Sequence, residues 1–106
     1  MTFKQLETEL KELVEKHKKL LPEKFNLPSN ENNFLERLAY IDKNESFNNE
    51  LKDLKEKFIN EHGINDINEK QAFIYIIGFY KRNLEYGSNS PADIDSYQLI
   101  FGNQNR

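Results

Sequence analysis

The residues of this chain best suited to chemistry are carboxylates spaced three apart in helix-forming segments. Glu9, Glu12 and Glu15 follow one another early in the chain, and Glu50 with Asp53 repeats the spacing later. Residues three apart lie on one face of a helix, so each pair could direct its oxygens toward a single Mg²⁺ ion. The pattern therefore has the residue types and the spacing of a Mg²⁺ site.

This pattern resembles the paired ExxE and ExxD motifs of the all-α nucleotide pyrophosphohydrolases. The resemblance implies a Mg²⁺-dependent nucleotide hydrolase whose acids face the interior of a helix bundle. Glu12 and Glu15, however, point away from the apolar seam of Leu6, Leu10 and Leu13. We therefore rank a nucleotide hydrolase third among three interpretations of this chain. The leading interpretation, a protein-binding module, expects no catalytic residue, no metal site and no cofactor.

The two histidines stand apart from any ligand pattern. His17 falls in the apolar seam of the first predicted helix, and His62 falls in the last turn of the third. A helix C-terminus favours a cation, which accounts for His62 without a functional role. Neither histidine has the HExxH spacing of a zinc site, and the absence of cysteine excludes thiolate ligands and disulfides.

Cationic residues form two groups that could contact a polyanion. One group is Lys16, Lys18 and Lys19, and the other is Lys81 with Arg82. They support a second interpretation, a regulator associated with nucleic acid. The net charge of -3 and the interleaved signs argue against general polyanion binding. The fourth predicted helix, which would have to read DNA, carries mostly Phe, Tyr and Ile. We therefore do not expect nucleic acid to be the main partner.

The elements that position these residues are helices. Apolar residues recur in steps of three and four along five segments, and no segment alternates as a strand would. Gly63 and Gly87 are placed to end the third and fourth helices. The expected N-terminal caps are Thr2 (with Gln5 in a capping box), Ser29 or Asn30, Ser46, Asn68 (with Gln71) and Ser90. The sequence therefore predicts an all-α protein, a compact bundle of four to five helices.

The size and composition of the chain suit one folded domain. At 106 residues we expect a single helical domain over residues 1–106, with a polar tail at about 102–106. An apolar content of 37% and a mean hydropathy of -0.86 raise the question of disorder. The eight Phe and five Tyr, together with regularly spaced Leu and Ile, argue for a packed core instead. Phe25 and Leu27 are expected to close the edge of the bundle.

The helix predicted at about 68–86 contains the most apolar run of the chain, at 72–80, and should be central. One face of it carries Phe73, Ile76, Ile77, Tyr80 and Leu84. A second stripe carries Tyr75, Phe79 and Tyr86, with Arg82 beside them. Two interpretations of this second stripe remain open. It is either core, with Gly78 admitting a neighbouring helix, or an exposed anchor patch of the kind common at binding hot spots.

Our leading interpretation is a small acidic helical module that binds another protein, of the immunity, inhibitor or adaptor type. Binding would use the fourth helix and the loop that follows it, where Asp93 and Asp95 form an acidic edge suited to a basic partner. The second stripe could instead bury itself in a homodimer. The candidate partner-binding residues are Tyr75, Phe79, Arg82, Tyr86, Asp93 and Asp95.

We expect this module to be cytoplasmic and to have no membrane partner. The nine-residue apolar run is far shorter than the roughly 20 residues needed to cross a bilayer. The first ten residues contain acids from Glu7 onward and no apolar stretch, so we expect no signal peptide. A chain without cysteine also suits a reducing compartment.

Overall fold

The computed structural model describes residues 1–25 and 31–102, and for residues 31 and 32 it describes the backbone alone. Within these residues the chain forms five α-helices and a short 3₁₀ turn at Glu23–Phe25, with no strand. The helices are α1 (Phe3–Leu20), α2 (Glu31–Asp42), α3 (Glu45–His62), α4 (Ile67–Tyr86) and α5 (Pro91–Phe101). The prediction of an all-α bundle of four to five helices is confirmed.

Several helix ends follow the local signals of the sequence. The Thr2 hydroxyl accepts the N–H of Gln5 at 3.1 Å, and the Gln5 side chain accepts the N–H of Thr2 at 2.8 Å, which completes the capping box. Ser90 caps α5 as expected. Gly63 and Gly87 follow α3 and α4 with φ angles of 79° and 84°, a region that favours glycine.

Two predicted caps are wrong. Asn44, not Ser46, caps α3 by accepting the N–H of Phe47, and the Ser46 hydroxyl donates to Glu50 instead. Asp66, not Asn68, caps α4, so this helix begins at residue 67. In each case a residue of equal capping strength stands two positions earlier, and intrinsic preference alone does not separate the two. The predicted cap at Ser29 or Asn30, the placement of Leu27 and the tail at 103–106 lie outside the described residues.

Aromatic contacts fix how the helices run. At one end of the bundle the ring of Phe3 in α1 lies 4.9 Å from Phe58 in α3, and at the other end His17 lies 5.2 Å from Phe47. Helices α1 and α3 are therefore antiparallel, and α4 runs parallel to α1. Helix α5 returns antiparallel to α4 and packs against it. We call the end where α1 and α4 finish and α3 begins the lower end.

The core lies mainly where α1 meets α3 and α4. Helix α4 also contacts α2 and α5, so its predicted central position is confirmed. Helix α2 contacts α3 and α4 but not α1, and it therefore crosses the pair on the side opposite α1. Phe25 is buried, as predicted. The most deeply buried apolar side chains are Leu6, Leu10, Val14, Ile41, Phe47, Phe58, Ile76, Leu84 and Phe101.

One arginine ties the lower end together, and sequence reasoning missed it. The Arg37 guanidinium donates through Nε and Nη2 to the carbonyl of Leu84, at 3.1 and 2.6 Å, and through Nη1 to the carbonyl of Phe25 at 2.9 Å. Burial lowers the pKa of this group from its ordinary value. The carbonyls at a helix C-terminus lack intrahelical donors, so Arg37 supplies α4 with a cationic cap.

Candidate functional site

A cleft of about 400 Å³ opens at the corner between α4 and α5. It contains three of the six predicted partner-binding residues, which lie there because the turn after Gly87 folds α5 back along α4. We call it the corner cleft. Its lining residues are Arg82, Tyr86, Ser88, Asn89, Ser90 and Asp93.

Asp93 is the centre of the polar structure in this cleft. Its carboxylate accepts two bonds from Arg82, from Nη2 at 2.8 Å and from Nε at 3.1 Å. It also accepts the Tyr75 hydroxyl at 2.6 Å and the Asn89 side-chain amide at 2.8 Å. Such bidentate, charge-assisted bonds are among the stronger polar contacts in proteins. Asp93 therefore links α5 to two side chains of α4 that lie two turns apart.

The electrostatics of Asp93 follow from these partners. The hydrogen bonds from Arg82 lower the pKa of Asp93 from 3.8 to about 2, against the opposing effect of burial, and those from Tyr75 and Asn89 add to the lowering. Asp93 in turn raises the pKa of Arg82. Burial, and then the bond to Asp93, raise the pKa of Tyr75. The carboxylate is thus charged at neutral pH, which suits a structural anion and not a proton donor.

The loop between α4 and α5 is held by a second set of bonds. The Asn89 amide donates to the carbonyl of Phe79 at 2.9 Å, and its side-chain oxygen accepts the Asn83 amide at 2.7 Å. Asn89 thus bonds to α4 and to Asp93 at once. The floor of the corner cleft is organised before any partner arrives, which lowers the entropic cost of binding there.

Tyr86 forms the exposed wall of the corner cleft. Its side chain is 55% exposed, and its ring stacks on that of Phe34 from α2, with centroids 5.1 Å apart and planes at 20°. Stacking fixes one face of the tyrosine and leaves the rest available. Sequence reasoning missed the contribution of Phe34, whose only signal was an aromatic residue near the start of α2.

The remaining predicted contact residues have different surroundings. Phe79 is buried, with its ring 4.4 Å from that of Tyr97, so it matches the core interpretation and offers no anchor on the surface. Tyr75 is half-buried and engaged by Asp93. Asp95 is exposed on α5 and does not line the corner cleft. The second stripe of α4 is therefore mostly packing, and Tyr86 with one edge of Arg82 remains accessible.

Gly78 has a role other than the predicted approach of a neighbouring helix. A Cβ atom at this position would lie 2.9 Å from Nη1 of Arg82, one turn further along α4. The missing side chain lets the guanidinium lie along its own helix, 5.4 Å from the centre of the Tyr75 ring. From there Arg82 reaches Asp93 in bidentate geometry.

The carboxylates of the third interpretation come together only in part. Glu9, Glu12 and Glu50 line a groove between α1 and α3, but Lys16 donates to both oxygens of Glu50 at 3.0 Å. That hydrogen bond is the main cause of the lowered pKa of Glu50. Lys57 lies 3.8 Å from Glu9. Across the part of the chain that the structure describes, no group of three His, Asp or Glu could hold a metal ion.

The cations of the second interpretation are largely engaged within the protein. Lys16 pairs with Glu50, and Arg82 pairs with Asp93. Lys18 donates to the carbonyl of Gly87 at 3.3 Å, which caps α4 a second time. Lys19 is exposed and Lys81 is half-buried. The predicted basic groups therefore act mainly as internal ties.

His17 is the most deeply buried polar side chain described, at 2% exposed. Neither ring nitrogen has a hydrogen-bond partner. Nε2 lies 3.4 Å from a Glu50 oxygen but outside hydrogen-bond geometry. His17 faces α3 and takes no part in the corner cleft.

Comparison with known proteins adds no relative. No family model, no curated protein and no solved structure matches this chain. Among the described helices, none combines the length and the apolar character needed to span a bilayer.

Proposed function

We propose that this protein is a small protein-binding module of the inhibitor, immunity or adaptor type, and that its partner docks at the corner cleft. The observation that carries the proposal is the exposed Tyr86 ring, supported by Phe34 and set beside polar groups already held by Asp93. Tyrosine and arginine contribute disproportionately to binding energy at protein interfaces. A rigid aromatic anchor loses little entropy when it docks.

Two acids of this region favour a basic partner, since among the described residues Glu85 and Asp95 form no ion pair, whereas Asp93 is paired with Arg82. Lys18 and Arg37 bond carbonyls at the end of α4. From Lys81 and Arg82 the chain continues to residue 102 without another Lys or Arg, while Glu85, Asp93 and Asp95 fall within it. A lysine or arginine of the partner could stack on the free face of the Tyr86 ring, with Glu85 and Asp95 as the acids that remain unpaired on α4 and α5. We place the module in the cytoplasm, with which the absence of cysteine is compatible.

The two other interpretations have less support from the geometry. A nucleic-acid regulator needs free cations, and Lys16, Lys18 and Arg82 each have partners within the protein. A Mg²⁺-dependent hydrolase needs carboxylates directed at one point, and Lys16 occupies Glu50. A protein-binding role requires neither.

A photo-crosslinking experiment tests the proposal. The full chain is made with benzoylphenylalanine at position 86 or, as the control, at Tyr40, an exposed tyrosine on α2. Each protein is irradiated in a lysate of the source organism. We expect one discrete protein adduct at position 86 and none at position 40. Excess unlabelled wild-type protein should suppress the adduct, and Tyr86→Ala protein should suppress it at least tenfold less effectively.

Two results would count against this function. One is the absence of a competed adduct at position 86. The other is competition by Tyr86→Ala protein as strong as that by wild type, since the ring would then not contribute to docking. A nuclease-sensitive adduct would instead favour the nucleic-acid interpretation.

A further inference from the structure

Helices α3 and α4 meet through side chains and not through close backbone contact, which leaves a surface groove between them. No Cα atom of α3 comes within 8 Å of one in α4, although α1 contacts both helices closely. The two are bridged by side chains. Phe58 stacks on Phe73 with centroids 5.3 Å apart, and His62 lies 3.8 Å from Glu69. These contacts fix the antiparallel register of the pair.

Helix α2 covers only the lower end of this groove. Asn48 in α3 donates to the carbonyl of Asp42 at 3.1 Å, and Arg37 bonds the carbonyl of Leu84 in α4. Above these contacts no other described element packs on this side of the pair. The uncovered part runs alongside α4 from Lys70 to Lys81, about 17 Å at 1.5 Å per residue. We call it the upper groove.

The walls of the upper groove are apolar. Ile77 is half-buried one turn after Phe73, on the side of α4 that faces α3, and Ile74 beside it is 59% exposed. On the opposite wall Ile59, which follows the Phe58 of the bridging stack, is 44% exposed. These isoleucines are packed on the side that faces the core, and their other side leaves apolar surface exposed to water.

The rim of the upper groove is positively charged. Helical spacing places Lys70 and Lys81 on the same side of α4 as Ile77. On α3, the same spacing places Lys55 on the groove side, at the height of Ile77. In residues 1–25 and 31–102, none of these three lysines forms an ion pair with an acid, as is also true of Lys4, Lys11, Lys19, Lys43 and Lys52. The rim therefore brings three cations without an ion pair beside the apolar walls.

We propose that the upper groove binds an amphipathic helix of a partner protein, about three turns long, with an apolar stripe bordered by Asp and Glu. Helix α2 already shows the mode, since it lies across the same two helices at the lower end. The isoleucine side chains would pack against the apolar stripe of such a helix, and the lysines would pair with its acids. The surface is separate from the corner cleft, and the proposal does not depend on that site.

Two other occupants fit this surface less well. A nucleic acid would use the lysines but leave Ile59 and Ile74 without contacts. A second copy of this chain, packed face to face, would bring the rim lysines of both molecules close together, where like charges repel. An acidic amphipathic helix would make contacts with both the isoleucines and the lysines.

Two yeast-displayed libraries of 14-residue helices test the proposal on the full chain. Both carry randomised apolar residues at positions i, i+3, i+4 and i+7, bordered by Glu in one library and by Lys in the other. We expect the labelled protein to enrich binders from the Glu library only. Those binders should weaken at least tenfold with Ile74→Glu and stay within twofold with Leu99→Glu, an equivalent change at an 83% exposed site on α5.

A charge reversal sharpens the test. The double variant Lys70→Glu/Lys81→Glu should lose the Glu-bordered helices and gain Lys-bordered ones, with its helical circular dichroism unchanged. The proposal fails if neither library is enriched, or if both are enriched equally. It also fails if the binders tolerate Ile74→Glu. Tighter binding of a single-stranded oligonucleotide than of any helix, or a doubled mass abolished by Ile74→Glu, would assign the surface to nucleic acid or to a second copy instead.

Discussion

The Asp93 network allows a quantitative prediction for the variant Asp93→Asn. The amide keeps an acceptor for Tyr75 but loses the charge that holds Arg82 and one acceptor of the bidentate pair. The Asp93 side chain is only 12% exposed but its partner Arg82 is 38% exposed, so solvent screens part of this interaction. We expect the variant to fold and to be less stable, with a difference from wild type that depends on pH.

The size of the effect follows from the pKa of Asp93. A fall from 3.8 to about 2 on folding, at roughly 1.4 kcal/mol per pKa unit, corresponds to about 2.5 kcal/mol when the group is ionised, and solvent screening at Arg82 reduces this to about 2 kcal/mol. The lowered pKa sets the sign. The stabilisation is complete above about pH 5 and is lost as the pH falls through 2. The difference between wild type and Asp93→Asn should therefore be about 2 kcal/mol at pH 7 and under about 1 kcal/mol at pH 2.5.

Urea unfolding followed by circular dichroism at 222 nm measures this difference at each pH. Other carboxylates titrate in the same range, so the comparison with the variant isolates Asp93. Asp95→Asn is the matched control, the same change at an exposed position of the same helix. It should alter the free energy of unfolding by less than about 0.5 kcal/mol. A loss below 0.5 kcal/mol for Asp93→Asn at pH 7, or one that persists undiminished at pH 2.5, would refute the reasoning.

Three further changes test other parts of the structure. Arg37→Lys should lower the free energy of unfolding by about 2 kcal/mol in urea titrations, since one ammonium cannot replace a guanidinium that bonds two separate carbonyls; a neutral result would mean that water replaces these bonds. His17→Leu should raise it by about 1 kcal/mol, because it removes a buried imidazole without hydrogen bonds; destabilisation would show that the contact with Glu50 outweighs that cost. Burial, and then the hydrogen bond to Glu7, raise the pKa of Tyr97 strongly, so this tyrosine should ionise only when alkali unfolds the protein, and Tyr97→Phe should reduce the absorbance change at 295 nm that accompanies alkaline unfolding by one tyrosine; an absorbance change equal to that of wild type would contradict this assignment.

The amino-acid sequence by itself determined the secondary structure of this protein and most helix boundaries. Steps of three and four between apolar residues, the capping box at Thr2 and the cap at Ser90 act within one or two turns of chain. Their energetics are local, so they can be interpreted without knowledge of the fold. The misplaced starts of α3 and α4 have the same origin, because neighbouring Asn, Asp and Ser residues cap almost equally well.

The exposure of each face of α4 was decided by the tertiary structure. Phe79 and Tyr86 belong to the same apolar stripe in sequence, yet one is buried by α5 and the other remains exposed. The difference depends on which part of α4 is covered by α5, where Tyr97 packs on Phe79. Periodicity identifies an apolar face but does not say how much of it a neighbouring helix will cover.

The polar constellations likewise depend on contacts between distant segments. Arg37 bonds a carbonyl 47 residues away. Asp93 bonds Tyr75 and Arg82 of α4, and nothing in the sequence next to these two residues indicates the contact. The upper groove exists because α2 packs only at the lower end of α3 and α4. Helix propensities and caps depend on residues that are neighbours in the sequence, whereas a site requires residues from distant segments to lie close together. That proximity exists only once the helices have packed.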